Sequence, residues 1–208
     1  MNQLLRYFPL LTKQQEAQFS MFADAFKDWN QKINLISRKD IDHLFEHHIL
    51  HSLAIDKVLH FKDNSSVLDV GTGGGFPGIP LAILLPNVQF CLIDSIGKKI
   101  MAASDMVKTI GLQNVCLKQL RCEEEKGKYD FVVSRAVMPL GDLYKLIRKN
   151  ISPIQKNALP NGLISLKGGD VNAETAPFSN IVSVYSLSEY FSEPFFTTKK
   201  AIYLPVKT

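Results

Sequence analysis

The sequence predicts an α/β fold: a mostly parallel sheet with helices on both faces, finished by an antiparallel C-terminal hairpin and preceded by a helical extension. Three observations predict it. From residue 66 onward, short apolar runs alternate with amphipathic stretches of helix length, the pattern of parallel strands joined by crossover helices. The first such run, Val67-Leu68-Asp69-Val70, stops at a glycine cluster, Gly71-Thr72-Gly73-Gly74-Gly75. The last two strand-like segments are joined by a turn-rich stretch without a crossover helix, and strands joined that way pair antiparallel.

Residues 12–33 read as a helix opened by a capping box, Thr12 with Gln15. Phe19, Phe22, Phe26, Trp29 and Ile33 recur at three- and four-residue spacing, an aromatic stripe that reads as core packing. A second helix is predicted over 40–59, with Ile41, Leu44, Phe45, Ile49, Leu53 and Leu59 as its apolar face. Strands follow at 66–70, 88–93, 115–117, 129–134 and 162–166, and helices at 79–85, 98–110 and 140–149. Gly111 ends the helix before it. Strands at 181–187 and 201–206 make the closing hairpin. Residues 1–60 are thus a helical extension packed on a single compact core, 61–208.

The 208 residues are 46% hydrophobic and 21% charged, ordinary values for a packed soluble chain. No apolar run approaches the roughly 20 residues of a membrane span, and no signal-peptide pattern opens the chain. The cysteines Cys91, Cys116 and Cys122 show no CxxC spacing, which argues against a disulfide framework and a cysteine zinc site. A cytoplasmic location is expected. The net charge of +4 permits nucleic-acid binding without demanding it. Arg38, Lys39, Lys98 and Lys99 are the first candidates for phosphate contacts.

Ligands of open parallel sheets bind beyond the carboxyl ends of the strands. The glycine cluster offers bare backbone N–H groups there. Asp69, two residues ahead of it, disfavours a plain phosphate and suits a cationic ligand such as S-adenosylmethionine, with its sulfonium and ammonium groups. Methyl transfer is therefore the first functional reading. Asp94, about twenty residues beyond the glycines, has the spacing of a ribose-binding carboxylate and also that of a helix cap. Arg121, Cys122 and Glu123 follow the third strand, Arg135 the fourth, and Lys167 and Gly168 the fifth.

Two other patterns compete. Gly73, Gly75 and Gly78 fit GxGxxG, which would make the chain an NAD-dependent oxidoreductase with Asp94 on the ribose. The first glycine after the strand is Gly71, however, and Asp69 is unusual for a dinucleotide site. His43-Leu44-Phe45-Glu46-His47 matches H-x-x-E-H, and four of the five histidines fall between 43 and 51. No third metal ligand is indicated, so no metal is expected; polar surface beside an RNA groove is the preferred reading.

Several motifs occur in a telling order: Trp29-Asn30, Asn34-Leu35-Ile36-Ser37, His48-Ile49-Leu50, Asp69-Val70-Gly71-Thr72-Gly73, Gly75-Phe76-Pro77-Gly78-Ile79-Pro80, Asp94-Ser95 with Lys98-Lys99, Ser134-Arg135-Ala136 and Leu166-Lys167-Gly168. The set closely resembles the bacterial small-subunit ribosomal RNA methyltransferase G family, long called glucose-inhibited division protein B. The resemblance implies a Rossmann-like class I fold and methyl transfer from S-adenosylmethionine to N7 of a guanine in 16S ribosomal RNA. The substrate would be naked RNA, the 30S subunit or an assembly intermediate, and the enzyme a monomer. The resemblance places donor binding on Gly71, Phe76, Cys122, Glu123 and Arg135; Gly73 and Asp94 join them from the strand-end reading. Arg135 and Lys167 are the expected partners of guanine O6, with no general base required. The chain departs from the family at Cys122, usually small or aliphatic, and at His51, usually acidic. A ribosome-binding factor that kept the fold without catalysis is the third reading.

Overall fold

The computed structural model describes residues 1–135 and 137–206; Ala136 of the Ser134-Arg135-Ala136 motif, Lys207 and Thr208 lie outside the described residues. Strands β1 (Ser66–Val70), β2 (Gln89–Asp94), β3 (Val115–Gln119), β4 (Phe131–Arg135), β5 (Gly162–Gly168), β6 (Ser183–Ser186) and β7 (Lys199–Pro205) form one sheet ordered β3-β2-β1-β4-β5-β7-β6. The first five run parallel. β7 inserts antiparallel between β5 and β6, so the predicted hairpin is present. The order reverses between β2-β1 and β4, and a crevice opens beyond the carboxyl ends of β1 and β4 at that switch.

Alternating side chains of each strand feed two cores, as the pleat requires. On one face Val67, Phe90, Leu92, Phe131, Val133 and Ile164 pack under the N-terminal helices. On the other, Leu68, Val70, Ile93, Val132 and Leu163 meet Leu140, Leu143 and Ile147. Those three lie on α6 (Leu140–Ile147), which follows α4 (Gly78–Leu84) and α5 (Gly97–Thr109) as a crossover helix.

The long N-terminal helix α2 (Lys13–Ile33) starts where its capping box places it. Gln15 N–H donates to the Thr12 hydroxyl at 3.2 Å, and Thr12 N–H donates back to Gln15 Oε1 at 2.9 Å. It stops at Asn34, which adopts the left-handed conformation (φ 48°) that asparagine tolerates best after glycine. Phe19, Phe22 and Phe26 are buried, whereas Trp29 and Ile33 pack at the margin. Trp29 Nε1 donates to Asp105 Oδ2 at 2.7 Å and ties α2 to α5.

Two elements differ from expectation. A short helix α1 (Asn2–Tyr7) precedes α2. It is anchored by Lys57 Nζ donating to the Tyr7 carbonyl at 2.6 Å and by the Tyr7 hydroxyl donating to Glu193 at 2.7 Å. The helix expected over 40–59 is instead a 3-10 turn (Ile41–His43), a π-helical stretch (Leu44–Leu50) and α3 (His51–Val58). The consecutive side chains of His47 and His48 both donate to the carboxylate of Asp40. The wider π turn brings both to one acceptor, and such turns gather at functional sites.

Candidate functional site

β1 ends in a loop whose backbone demands glycine. Gly71 sits at φ +68°, and a Cβ there would lie 2.6 Å from a Val137 methyl. Its N–H and that of Thr72 both donate to the Ile93 carbonyl, at 2.9 and 3.0 Å, which locks the loop to the end of β2. Gly78 is needed for close approach: its N–H donates to Asp69 Oδ2 at 2.9 Å, and a Cβ would come within 2.7 Å of that oxygen. Asp69 also accepts the Thr72 hydroxyl at 2.6 Å. Its Oδ1 is buried without a partner. Burial pushes the carboxyl up to about 7, against the pull of Thr72 and Gly78.

A cleft of about 450 Å³ opens above this loop, lined by Gly71, Asp94, Cys122, Glu123 and Arg135 together with Lys99, Arg121 and Met138. Its size falls within the range of small-molecule sites. Five of the residues expected from the sequence therefore meet in one place. Asp94 Oδ2 accepts Gly73 N–H and Oδ1 accepts Ile96 N–H, both at 2.9 Å. Each oxygen keeps a second lone pair for a ligand hydroxyl. Cys122 is buried, and burial with the neighbouring Glu123 pushes its thiol up to about 11; Glu123 stays exposed. Lys149 Nζ donates to the Glu123 carbonyl and steadies this wall.

Arg135 forms the wall at the end of β4. Its guanidinium lies 4.8 Å from the Phe76 ring centroid, and Nη1 donates to the His47 carbonyl at 3.4 Å. Burial lowers its pKa to about 10, while Asp69 and Asp40 hold the charge in place, so it is cationic at neutral pH.

Three expected residues are placed elsewhere. The Phe76 side chain is 3% exposed and packs against Phe22 and Phe26, with ring centroids 5.6 and 5.1 Å away, so it supports Arg135 from below. Gly73 contributes its N–H to Asp94 and does not line the cleft. Lys167 Nζ donates to the Met138 carbonyl at 2.8 Å and to Glu174 at 2.9 Å, outside the cleft. Its neighbour Met138 is one of the lining residues that the sequence did not single out, although it follows β4 by only a few residues. Asp40 was also missed, because no local pattern marks its approach to Arg135.

His47, His48 and His51 gather around Asp40 and Phe195. His43 and His47 stack at 4.6 Å, and His47 stacks on Phe195 at 4.0 Å. Among the described residues no group of three or more His, Cys, Asp or Glu side chains is arranged to hold a metal. His51 is buried against Phe195 and Phe196, and burial with the nearby charge of Arg135 holds its imidazole well below the usual range.

The donor set fits S-adenosylmethionine. The cleft carries two carboxylates, Asp94 and Glu123, for hydroxyl and cationic groups. Asp69, buried beneath the glycine loop, fixes that loop by accepting the Thr72 hydroxyl and the Gly78 N–H.

Comparison with known proteins agrees with this chemistry. The family described as rRNA small subunit methyltransferase G matches residues 15–194. The ribosomal RNA small subunit methyltransferase G of Bacteroides fragilis is 58% identical over 206 residues, covering 99% of this chain and 100% of that protein. The one from Bacteroides thetaiotaomicron is 59% identical, covering 98% of each. The one from Flavobacterium johnsoniae is 50% identical, covering 100% and 99%. Among solved structures, a SAM dependent methyltransferase from Aquifex aeolicus superposes with a TM-score of 0.58 at 16% identity, covering 79% of this chain and 93% of that one. Precorrin-6y C5,15-methyltransferase from Geobacter metallireducens gives 0.56 at 13%, covering 84% and 92%. At these identities the structural likeness bears on the fold, which is that of class I methyltransferases.

Proposed function

The chain belongs to the rRNA small subunit methyltransferase G family, and on that premise we propose that it methylates N7 of a guanine in 16S ribosomal RNA from a donor held in the cleft at the carboxyl edge of the sheet. Membership makes S-adenosylmethionine-dependent methylation of rRNA its activity; the nucleotide, the ring nitrogen and the residue roles are our reading. The observation that carries it is the meeting of Gly71, Asp94, Cys122, Glu123 and Arg135 around one cleft.

S-adenosylmethionine, when bound, supplies an electrophilic methyl on a sulfonium centre. Asp94 and Glu123 would accept hydrogen bonds from its hydroxyl groups, and the Cys122 backbone would meet its base. Guanine N7 carries a lone pair and no proton, so no side chain must act as a base. The protein's contribution is alignment and electrostatics. Asp94 and Glu123, the two carboxylates that line the cleft, would supply the negative charge that favours a cationic donor and a purine gaining positive charge. Arg135, held 4.8 Å from the Phe76 ring centroid, would donate to guanine O6 and orient the base. Lys167 acts indirectly: by bonding the Met138 carbonyl it fixes the segment that closes the cleft beside Arg135. The guanine must leave its stack to reach the cleft, and Lys98 and Lys99 at the start of α5 hold the flanking phosphates.

Calorimetry with S-adenosylhomocysteine and with NAD tests the donor site. Binding of the first, lost in Asp94→Ala and weakened in Glu123→Ala, is expected. Binding of NAD with the same dependence on Asp94 would replace this reading by the oxidoreductase one. We further propose that the chain acts as a monomer in the cytoplasm. Among the described residues no helix is long and apolar enough to cross a membrane.

A further inference from the structure

Cys91 in β2 and Cys116 in β3 are register partners on adjacent parallel strands, so their side chains leave the same face of the sheet side by side. Neighbouring strands lie about 4.8 Å apart, within the Cα separation of roughly 4.4–6.8 Å that a disulfide spans. Both thiols are free. β3 is the edge strand of the sheet and has no neighbour beyond it to resist a small adjustment. Cys116 is exposed, whereas Cys91 is buried at the back of a depression of about 240 Å³ that both cysteines line with Gln89, Gln113 and Tyr129.

The groups around the pair favour a thiolate. The adjacent Cys116 thiol is the main reason that the Cys91 thiol is pushed down, against burial and Glu125 and with help from Tyr129 and the charge of Lys118, while the Cys116 thiol is pushed up in turn. Lys118 is itself paired with Glu125 at 2.9 Å, and Tyr129 donates to the same carboxylate at 3.2 Å. The third cysteine, Cys122, has no such partner and its thiol is pushed up to about 11. A low thiol pKa, a neighbouring thiol and an opening to solvent are the features of redox-active cysteine pairs.

We propose that Cys91 and Cys116 are an oxidation site that takes small peroxides and closes into a reversible disulfide across β2 and β3. The Cys91 thiolate attacks one peroxide oxygen; the O–O bond breaks, Cys91 becomes a sulfenic acid, and the departing hydroxide takes up the proton that the Cys91 thiol had released, giving the first water. The Cys116 sulfur then attacks the Cys91 sulfur. The S–S bond forms, the S–O bond breaks, and the Cys116 proton departs with the hydroxyl as a second water. Two thiols lose two electrons and one hydrogen peroxide gains them. A dithiol reductant restores both thiols. The cross-link joins the two strands whose carboxyl ends lead to Asp94 and Glu123, so it lies behind the wall of the cleft and does not enter it.

Treatment of the purified protein with hydrogen peroxide, followed by alkylation, digestion and mass spectrometry, tests the site. The expected result is one intramolecular peptide pair joining Cys91 to Cys116, lost on adding dithiothreitol, with Cys122 still alkylated. Cys116→Ser, a change at an exposed position, should abolish the pair and leave a Cys91 sulfenic acid that dimedone traps. Persistent alkylation of both cysteines overturns the proposal, as does conversion of Cys116 to a sulfinic acid without the cross-linked pair. Cross-linking that occurs only between molecules overturns it as well.

Discussion

Arg135 sits where three parts of the chain meet: the end of β4, the ring of Phe76 from the glycine loop, and the His47 carbonyl from the helical extension. Its removal tests the guanine-positioning role. Arg135→Ala should lower kcat/KM for rRNA methylation roughly a hundredfold, the scale of a misplaced reacting group. Arg135→Lys should not restore it, because an ammonium lacks the planar face that rests on Phe76. Unchanged donor affinity and turnover in Arg135→Ala would contradict the assignment. Gly78→Ala should shift the denaturant midpoint by about 1–3 kcal/mol of stability, since the added methyl meets Asp69 at 2.7 Å and Leu92 at 2.8 Å; an unchanged midpoint would speak against this packing. The residues legible in the sequence were those whose position alone decides their place. Gly71, Asp94, Cys122, Glu123 and Arg135 lie at or just beyond strand ends, and strand ends converge on the crevice. Phe76 comes shortly after β1, and Lys167 lies at the penultimate position of β5. Where their side chains point depends on Phe22 and Phe26 for one and Glu174 for the other, and strand order carries no such information.

At the scale of elements, α2 was readable because the capping box and the 3.6-residue stripe are both local. The π-helical stretch was not. Its apolar spacing suits an ordinary helix, and the accompanying convergence of His47 and His48 on Asp40 leaves no periodic signal. α1 is too short to show a period. The segment predicts a pH response. Burial, with Arg135 nearby, lowers the His48 pKa from 6.5 to about 4, so the folded state binds fewer protons than the unfolded chain between those values. The stability from this group is fully present above 6.5 and is lost as pH falls towards 4. Asp69, raised to about 7, acts oppositely: its folded form binds more protons between 3.8 and 7, so its term weakens the fold as pH rises through that window. Whole-protein curves therefore mix the two, and the comparison must be made between variants. His48→Gln keeps a donor for Asp40 and removes the titration. Denaturation at pH 7 and pH 5 should show its stability relative to the wild type improving by roughly 2 kcal/mol at the lower pH. No relative change would mean that His48 is not the buried neutral imidazole described here.

For the whole molecule, alternating strands and helices announced a parallel sheet with a closing hairpin. They did not announce that β7 lies between β5 and β6, because alternation gives strand direction and leaves neighbours open. The sheet order creates the crevice at the β1–β4 switch, and the N-terminal helices and the segment around Phe195 flank it. Lys99 and Arg121 line the same cleft as Asp94 and Glu123, so under the proposed function donor and RNA would meet at one mouth. They should respond differently to salt. Affinity for 16S ribosomal RNA should fall steeply as salt rises, with a log–log slope set by the number of phosphates contacted, while S-adenosylhomocysteine affinity should change little. Lys98→Ala with Lys99→Ala should make the RNA slope shallower; an unaltered slope would place the RNA elsewhere. The most direct measurement is mapping of the methyl group: 16S ribosomal RNA from cells lacking this enzyme is incubated, naked and within 30S subunits, with labelled S-adenosylmethionine, then treated with borohydride and aniline, which cleave at N7-methylguanosine. Label at one guanosine with strand scission there, and neither in Arg135→Ala, is expected. Label on an exocyclic amine or a ribose, or no transfer to either substrate, would contradict it.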